Sequence, residues 1–524
     1  MVPNKFSVLH HLFRNNLTKY GEKKALVFEE KELSYSELNN AANKVANALI
    51  QNKIEPNSRV ALLLENSLEY VICDVGIIYA GATKVPINNM LGEKEIAYIL
   101  NDSGAEILIV DEDSFEKIQR ISATIPNVKL IVGISKSDSL PKGFKSWEDF
   151  QEEQPETVVE VLVKPTDMAG IMYTGGTTGR PKGAVHDQEN VINYIFTHIT
   201  ELEIQHDEKI LLHSPLPHSA GIVLQAGLLK GAENWIEKKF NPSIVLDRIS
   251  KNKITFTFLV PTMIYRLLDQ AEKNKEDYSS LRTVMYGAAP IDVERLKQGL
   301  SIFGCVFVQI YGQTEAPNLI TKLRKEDHNL DAQNRLNSCG QSVTMSFVKI
   351  VDENGKEVSR GKEGEIIAST PYNMVEYFRK PETTKATLID GWIYTGDIGK
   401  MDEDGYVYLL DRKKDMIISG GLNIYSIEVE NVLLKHPGIK MVSVIGVPHS
   451  DWGEQVVAII VANEGYTLSK EEVLKHCEEL TKYKQPKTIR IVASLPLTPY
   501  GKIDKKKIKS LYLLNSGKGS TLII

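Results

Sequence analysis

The run Met168-Ala169-Gly170-Ile171-Met172-Tyr173-Thr174-Gly175-Gly176-Thr177-Thr178-Gly179-Arg180-Pro181-Lys182-Gly183 decides how this chain is read. An apolar segment of strand type leads into eleven residues, Tyr173 to Gly183, that hold four glycines, three threonines, an arginine and a lysine. Glycine has no Cβ to block positive φ or close approach, so backbone N–H groups can turn toward an anion. The hydroxyls add donors, and the two cations add charge-assisted hydrogen bonds. That is the chemistry of a polyphosphate cradle. It is not the common P-loop, which needs Gly directly before Lys-Ser/Thr; here Pro181 precedes Lys182 and Gly183 follows it. Taken alone, the run reads equally well as a solvated Gly/Thr loop.

Composition sets the frame. The chain has 524 residues, 42% hydrophobic and 25% charged, enough for more than one core. Length alone suggests about three domains. A net charge of −6 gives no basic surface that would make nucleic acid or an anionic membrane the main partner. Cys73, Cys305, Cys339 and Cys477 lie far apart without a CxxC, which argues against a disulfide framework or a zinc site and favours a reducing compartment. No apolar run is long enough to span a membrane, and Met1 to Phe6 lack a signal-peptide pattern. The expectation is a soluble cytoplasmic protein with no integral membrane segment.

Periodicity predicts an α/β protein. Ser34 to Glu37 carry a capping-box pattern ahead of a helix with Leu38, Ala41, Ala42, Val45 and Leu49 on one side. Segments 59–64 and 106–111 read as buried strands, with helices at 67–80 and 93–100. The alternation recurs at 254–268 and 281–300, as expected of parallel-type sheets covered by helices. Beyond Asp411 the pattern is α+β: helix 423–435, strands 442–447 and 455–461, helix 469–481. The charged run Asp411 to Asp415 marks the boundary.

Further motifs follow in order. Tyr311-Gly312-Gln313-Thr314-Glu315 lies at the end of the strand-like Val306 to Ile310, where ligands of α/β sheets bind. An aromatic ring can stack on a base, and a carboxylate can hold Mg²⁺ beside phosphates; an ordinary turn would read the same. Tyr286-Gly287-Ala288-Ala289-Pro290 follows another strand. Trp392 to Asp397 ends in Thr-Gly-Asp, Asp411 to Asp415 precedes Gly420-Gly421, and Pro496 to Ile503 frames Lys502.

Together these motifs resemble the adenylate-forming superfamily, in its acyl-CoA synthetase branch, over residues 34 to 503. The resemblance implies a large domain, 1–411, that binds AMP and the acyl group, and a small hinged domain, 412–524. It implies that Thr174, Gly175, Gly176, Thr177, Thr178, Gly179 and Lys182 cradle phosphates, and that Gly287, Ala288, Ala289, Tyr311 and Gly312 surround adenine. Thr314 would contact the α-phosphate, Glu315 would help hold Mg²⁺, and Asp397 with Arg412 would take the ribose. Gly420 and Gly421 would pass the pantetheine arm of coenzyme A, Lys414 would be the hinge, and Lys502 the catalytic lysine. His218, Gly221, Val260 and Gln313 would lie at the acyl pocket, with Val223, Leu224, Phe258 and Met263 as wall or core.

The implied activity is ATP- and CoA-dependent conversion of a carboxylic acid to its acyl-CoA through an acyl-adenylate. No Asp between Pro215 and Gln225 would pair an amino acid's ammonium, and an apolar wall suits a fatty or aromatic acid. Loading of a carrier protein and a luciferase-like oxygenase stay open as alternatives, as does the oligomeric state, a homodimer included. Two departures from the family pattern stand out: Leu422 where Glu is usual, and Asp187-Gln188 where Thr-His is common.

Overall fold

The computed structural model describes residues 6–136, 139–174, 180–273, 276–497 and 503–515. The chain divides into a larger unit (residues up to 174, 181–348 and 368–393) and a smaller one (chiefly 349–367 and from 394 onward).

Two sheets build the larger unit. In the first, Leu130–Ile134, Ile107–Asp111, Arg59–Leu63, Thr83–Pro86 and Met168–Tyr173 run parallel, and Gly183–Asp187 and Glu376–Tyr377 add antiparallel strands. In the second, Lys24–Phe28, Glu233–Ile236, Lys209–Leu212, Phe256–Leu259, Thr283–Gly287 and Phe307–Gln313 run parallel, with antiparallel Lys31–Ser34 at one edge and, on the other side, antiparallel Ala316–Leu323 followed by the edge strand Gln341–Ser342. Both sheets are therefore mixed, with parallel centres. The central strands are apolar on both faces because helices cover both.

The helix Tyr35–Gln51 starts as its sequence dictates. Ser34 Oγ accepts from Glu37 N at 3.1 Å, and Ser34 N donates to Glu37 Oε2 at 2.7 Å. Leu38, Ala42, Val45 and Leu49 are fully buried. Against them packs Leu68–Tyr79, so closely that a Cβ on Gly76 would lie 2.6 Å from Val45 Cγ1. Asp187 and Gln188, the pair without an evident role in the sequence, have one here. Asp187 Oδ1 caps the helix Gln188–Glu201 by accepting from Asn190 N at 2.8 Å, and Gln188 Oε1 accepts from Leu9 N at 3.1 Å.

In the smaller unit, Trp392–Met401 pairs antiparallel with Val407–Arg412, which sets Asp397 opposite Arg412. Further on, Gly453–Ala462 pairs antiparallel with Ile439–His449 and parallel with Thr488–Ile491. The helix Ser426–Leu434 buries Val429 and Leu433 against Val444 and Ile460. It starts three residues later than periodicity predicts, because Leu422–Ile424 is drawn into a hairpin with Ile417–Ser419. The predicted helix 469–481 is α-helical over Lys470–His476 and tightens to 3₁₀ over Cys477–Glu479. All four cysteines are free thiols. No helix among the described residues is long and apolar enough to cross a membrane.

Candidate active site

The phosphate-loop motif is closed at its base by strand pairing. Tyr173 pairs with Gly183, and Thr174 N donates to Lys182 O at 2.9 Å. A Cβ on Gly183 would lie 2.6 Å from Ile171 Cγ2, so this closure requires glycine. Tyr173 Oη donates to Asp102 Oδ2 at 2.8 Å, tying the strand end to the helix Glu93–Ser103. Gly175, Gly176, Thr177, Thr178 and Gly179 lie outside the described residues.

The two strongest motifs meet through residues that sequence reading missed. Thr314 and Glu315 form the tight turn between Phe307–Gln313 and Ala316–Leu323, where Gln313 pairs with Ala316. Tyr377 Oη donates to Glu315 Oε1, and the Lys182 ammonium sits 4.2 Å from the centroid of the same tyrosine ring. Such a cation–π contact is worth about 0.5–2 kcal/mol, depending on desolvation. Met374 N donates to Glu315 O at 2.7 Å. From the strand that leaves the loop, His186 Nε2 lies 2.9 Å from Thr314 O. Burial pushes the His186 pKa down to about 4, so the ring is neutral at pH 7, and facing a carbonyl oxygen it carries its proton on Nε2. Loop exit, Thr314 and Glu315 are thus held in one frame by His186 and Tyr377. Neither residue belongs to a motif legible in one sequence, since His186 reads as a strand residue and Tyr377 as one aromatic among many.

The segment Tyr286 to Pro290, expected beside adenine, has a steric signature. Gly287 ends its strand where a Cβ would lie 2.4 Å from Ile310 O. Ala288 follows at φ +67°, a region costly for a residue with a Cβ, by about 1–3 kcal/mol, and typical of functional sites. Ala288 and Ala289 are exposed. Tyr311, Gly312 and Gln313 are half-buried, and a Cβ on Gly312 would meet the Asn318 backbone at 2.5 Å.

Among the acyl-side candidates, His218 directly precedes the helix Ser219–Lys230 without capping it through its side chain, and its Nε2 lies 3.1 Å from Asn88 Nδ2. A Cβ on Gly221 would collide with Leu216 O at 2.2 Å. Val260 precedes the helix Pro261–Ala271 and packs on the main core. Val223, Leu224 and Phe258 are buried within that core, and Met263 is partly buried against a second cluster.

In the smaller unit, strand register creates a carboxylate–guanidinium pair. Asp397 is 2% exposed, and Arg412 Nε lies 2.9 Å from its Oδ1 while the rest of the arginine is half-exposed. Gly396, at φ +69°, donates its N–H to Glu365 Oε1 at 3.0 Å. Lys414 is exposed in the turn after Arg412, where Asp415 N and Met416 N both donate to Arg412 O. Gly420 and Gly421 have φ of +59° and +78° and form the two-residue turn between paired Ser419 and Leu422. A type I′ hairpin needs positive φ at both positions, which explains the glycine pair structurally. Leu422 is about half-exposed on that hairpin. Lys502 lies outside the described residues.

The donor set bears on magnesium. The described residues contain no group of three or more His, Cys, Asp or Glu able to hold a metal on their own. A Mg²⁺ that takes one carboxylate, at Glu315, and completes its shell with phosphate oxygens and water fits this arrangement.

Comparisons with known proteins agree with this geometry. Residues 13–378 match the model of the AMP-binding enzyme family, and 428–502 match the AMP-binding enzyme C-terminal domain. The chain is 37% identical over 437 residues to the medium/long-chain-fatty-acid–CoA ligase FadD8 of Mycobacterium tuberculosis, covering 80% of this chain and 76% of that one. It is 34% identical to the indoleacetate–CoA ligase of Aromatoleum aromaticum over 93% of this chain and 95% of that one. Among solved structures, the anthranilate CoA ligase AuaEII with anthranoyl-AMP superposes with a TM-score of 0.88 at 27% identity, covering 97% and 98% of the two chains. The mixed α/β sheets, the small C-terminal domain and the ordered sequence motifs thus have one family context, and the chain belongs to the AMP-binding, adenylate-forming enzymes as an AMP-forming acid–CoA ligase.

Proposed function

We propose that the acid activated here is an apolar one, fatty or aromatic, and that the site residues act in the roles their motifs imply. The observation that carries the site reading is the frame of Lys182, Tyr377, Glu315, His186 and Thr314. It gathers a cation, a carboxylate and a turn beside the exit of the phosphate loop.

In the first half-reaction a carboxylate oxygen attacks the α-phosphorus of ATP, and the bond to pyrophosphate breaks. Anion meets anion, so preorganised donors are the main lever. Lys182 and the loop hold the phosphates, Thr314 donates to the α-phosphate, Lys502 offsets charge developing in the transition state, and Asp397 accepts from the ribose hydroxyls. Mg²⁺, when bound with Glu315, would neutralise phosphate charge. In the second half-reaction the CoA sulfur attacks the acyl carbonyl and AMP leaves. The apolar wall and the aromatic and fatty acids named for the relatives support the substrate class.

A pyrophosphate-release screen across carboxylic acids, with and without CoA, tests the proposal. Turnover that is confined to apolar aliphatic or aromatic acids and yields acyl-CoA is expected. Activity confined to amino acids or small polar acids would overturn the substrate class.

The pivot between half-reactions is proposed at Lys414, which supports it by being exposed in a turn directly after Arg412. Proline there fixes φ near −65° and removes an N–H. Lys414→Pro is expected to separate pyrophosphate exchange from CoA transfer on one folded preparation, sparing one and depressing the other. Equal small effects on both would place the pivot elsewhere.

A further inference from the structure

The strand Gly183–Asp187, which carries the chain out of the phosphate-loop motif, is paired on both sides. Met168–Tyr173 lies along one side, with Tyr173 opposite Gly183. Glu376–Tyr377 lies along the other, with Tyr377 opposite Ala184. Lys182, whose ammonium rests on the Tyr377 ring, directly precedes the central strand. Its place therefore depends on how the ends of the two flanking strands are held.

One carboxylate, unused by the roles above, holds both ends. Asp102 lies in the last turn of the helix Glu93–Ser103, with its side chain 14% exposed. Its Oδ2 accepts from Tyr173 Oη at 2.8 Å, at the end of one flanking strand. Its Oδ1 accepts from Lys380 Nζ at 3.2 Å, three residues beyond Tyr377 on the other. Tyr98, one turn earlier on the same helix, donates from Oη to Asp102 Oδ1 at 3.0 Å and accepts from Lys380 Nζ at 3.1 Å. All these residues belong to the larger unit.

The backbone carries these ties to Lys182. Lys380 N donates to Tyr377 O at 2.9 Å, Phe378 N to Gly183 O at 2.8 Å, and Thr174 N to Lys182 O at 2.9 Å. The Tyr173 ring lies against the start of the central strand, where a Cβ on Gly183 would come 3.0 Å from Tyr173 Cζ. Local opening costs least at the ends of elements, and Lys182 sits at such an end. Charge-assisted hydrogen bonds from one carboxylate to both neighbouring strands raise that cost, because they are roughly twice as strong as neutral ones.

We propose that Asp102 is a positioning residue for ATP: by bonding Tyr173 and Lys380 it clamps the strands on either side of Gly183–Asp187 and so fixes Lys182 against Tyr377. This rests on Lys182 holding the ATP phosphates, as proposed above. Asp102 acts through the placement of Lys182 and not through contact with substrate.

The test uses the full-length protein and reads ATP separately from the acid. A misplacement of about 1 Å can cost about 100-fold, so a loosened clamp in Asp102→Asn is expected to raise KM for ATP in pyrophosphate exchange by about 5–20-fold. KM for the acid at saturating ATP, and CoA transfer from supplied acyl-adenylate, should stay within about threefold, since neither reads the hold on the β- and γ-phosphates. Tyr173→Phe deletes one hydroxyl and should give part of the same rise; it serves as the second probe where Asp102→Asn fails to fold. Lys380→Met should behave alike, and Lys380→Arg, which keeps charge and donors, should restore most of the loss. In a Lys182→Ala background the effect of Asp102→Asn should shrink to about twofold or less, because residues that act through one another are not additive. Full additivity there, an equal rise in KM for the acid, equal loss of both half-reactions, or unchanged kinetics in folded variants would overturn the inference. Lys182→Ala alone separates the failures. An unchanged KM for ATP there overturns the phosphate reading of Lys182, whereas a rise there with none in Asp102→Asn or Tyr173→Phe overturns the positioning role alone.

Discussion

Lys502→Ala will cripple acyl-adenylate formation and leave CoA transfer from supplied acyl-adenylate far less affected. The reason lies in charge. Adenylation brings a carboxylate onto a triphosphate, and the transition state spreads negative charge over the α-phosphate and the departing pyrophosphate. A single preorganised donor aimed at such charge is typically worth about 10²–10³ in rate. The second half-reaction joins a sulfur to a carbonyl and expels AMP, so it has no pyrophosphate charge to offset. Lys502 sits in Pro496 to Ile503, framed by Pro499 and Gly501, where the catalytic lysine is proposed. Pyrophosphate exchange and single-turnover thioester formation on one preparation decide the matter. Equal losses in a folded protein would show that Lys502 has another role.

Asp397→Ala is expected to weaken AMP and ATP binding by about 10–100-fold, because hydrogen bonds to a charged acceptor contribute about 1.5–3 kcal/mol and tenfold in affinity is about 1.4 kcal/mol. Two losses combine. The ribose hydroxyls lose an acceptor with two oxygens, and Arg412 loses the partner 2.9 Å away that orients it. The rank order of acids should not change, since the role proposed for Asp397 is toward the nucleotide and not the acyl group. Titration calorimetry with AMP, beside a specificity profile, measures both. Unchanged AMP affinity would remove Asp397 from the ribose site, and a reordered acid profile would place it at the acyl group instead.

The fold was largely legible because its causes are local. Ser34 and Glu37 cap their helix from three residues apart. Strand–helix alternation announces parallel sheets, and Gly420-Gly421 announces a turn with two positive φ values. Gly183, Gly287 and Gly312 are glycines because a Cβ at each would strike a neighbouring strand residue. The sequence displays such glycines without displaying the neighbour they avoid. Local reading ended where pairing across the sheet took over. The helix predicted from Asn423 begins at Ser426 because a hairpin partner claims residues 422–424.

By itself, then, the sequence determined the α/β class, the motif order and the chemistry those motifs imply, since each rests on residue type, spacing and resemblance. Only the tertiary structure decided who holds the motifs in place. His186 reaches Thr314, Tyr377 reaches Glu315 and Lys182, Arg412 faces Asp397, and Asp102 joins Tyr173 to Lys380. Each of these joins residues on different strands or helices through register and packing. No period or short motif encodes such a contact, because its energy appears only when distant segments are brought together and desolvated.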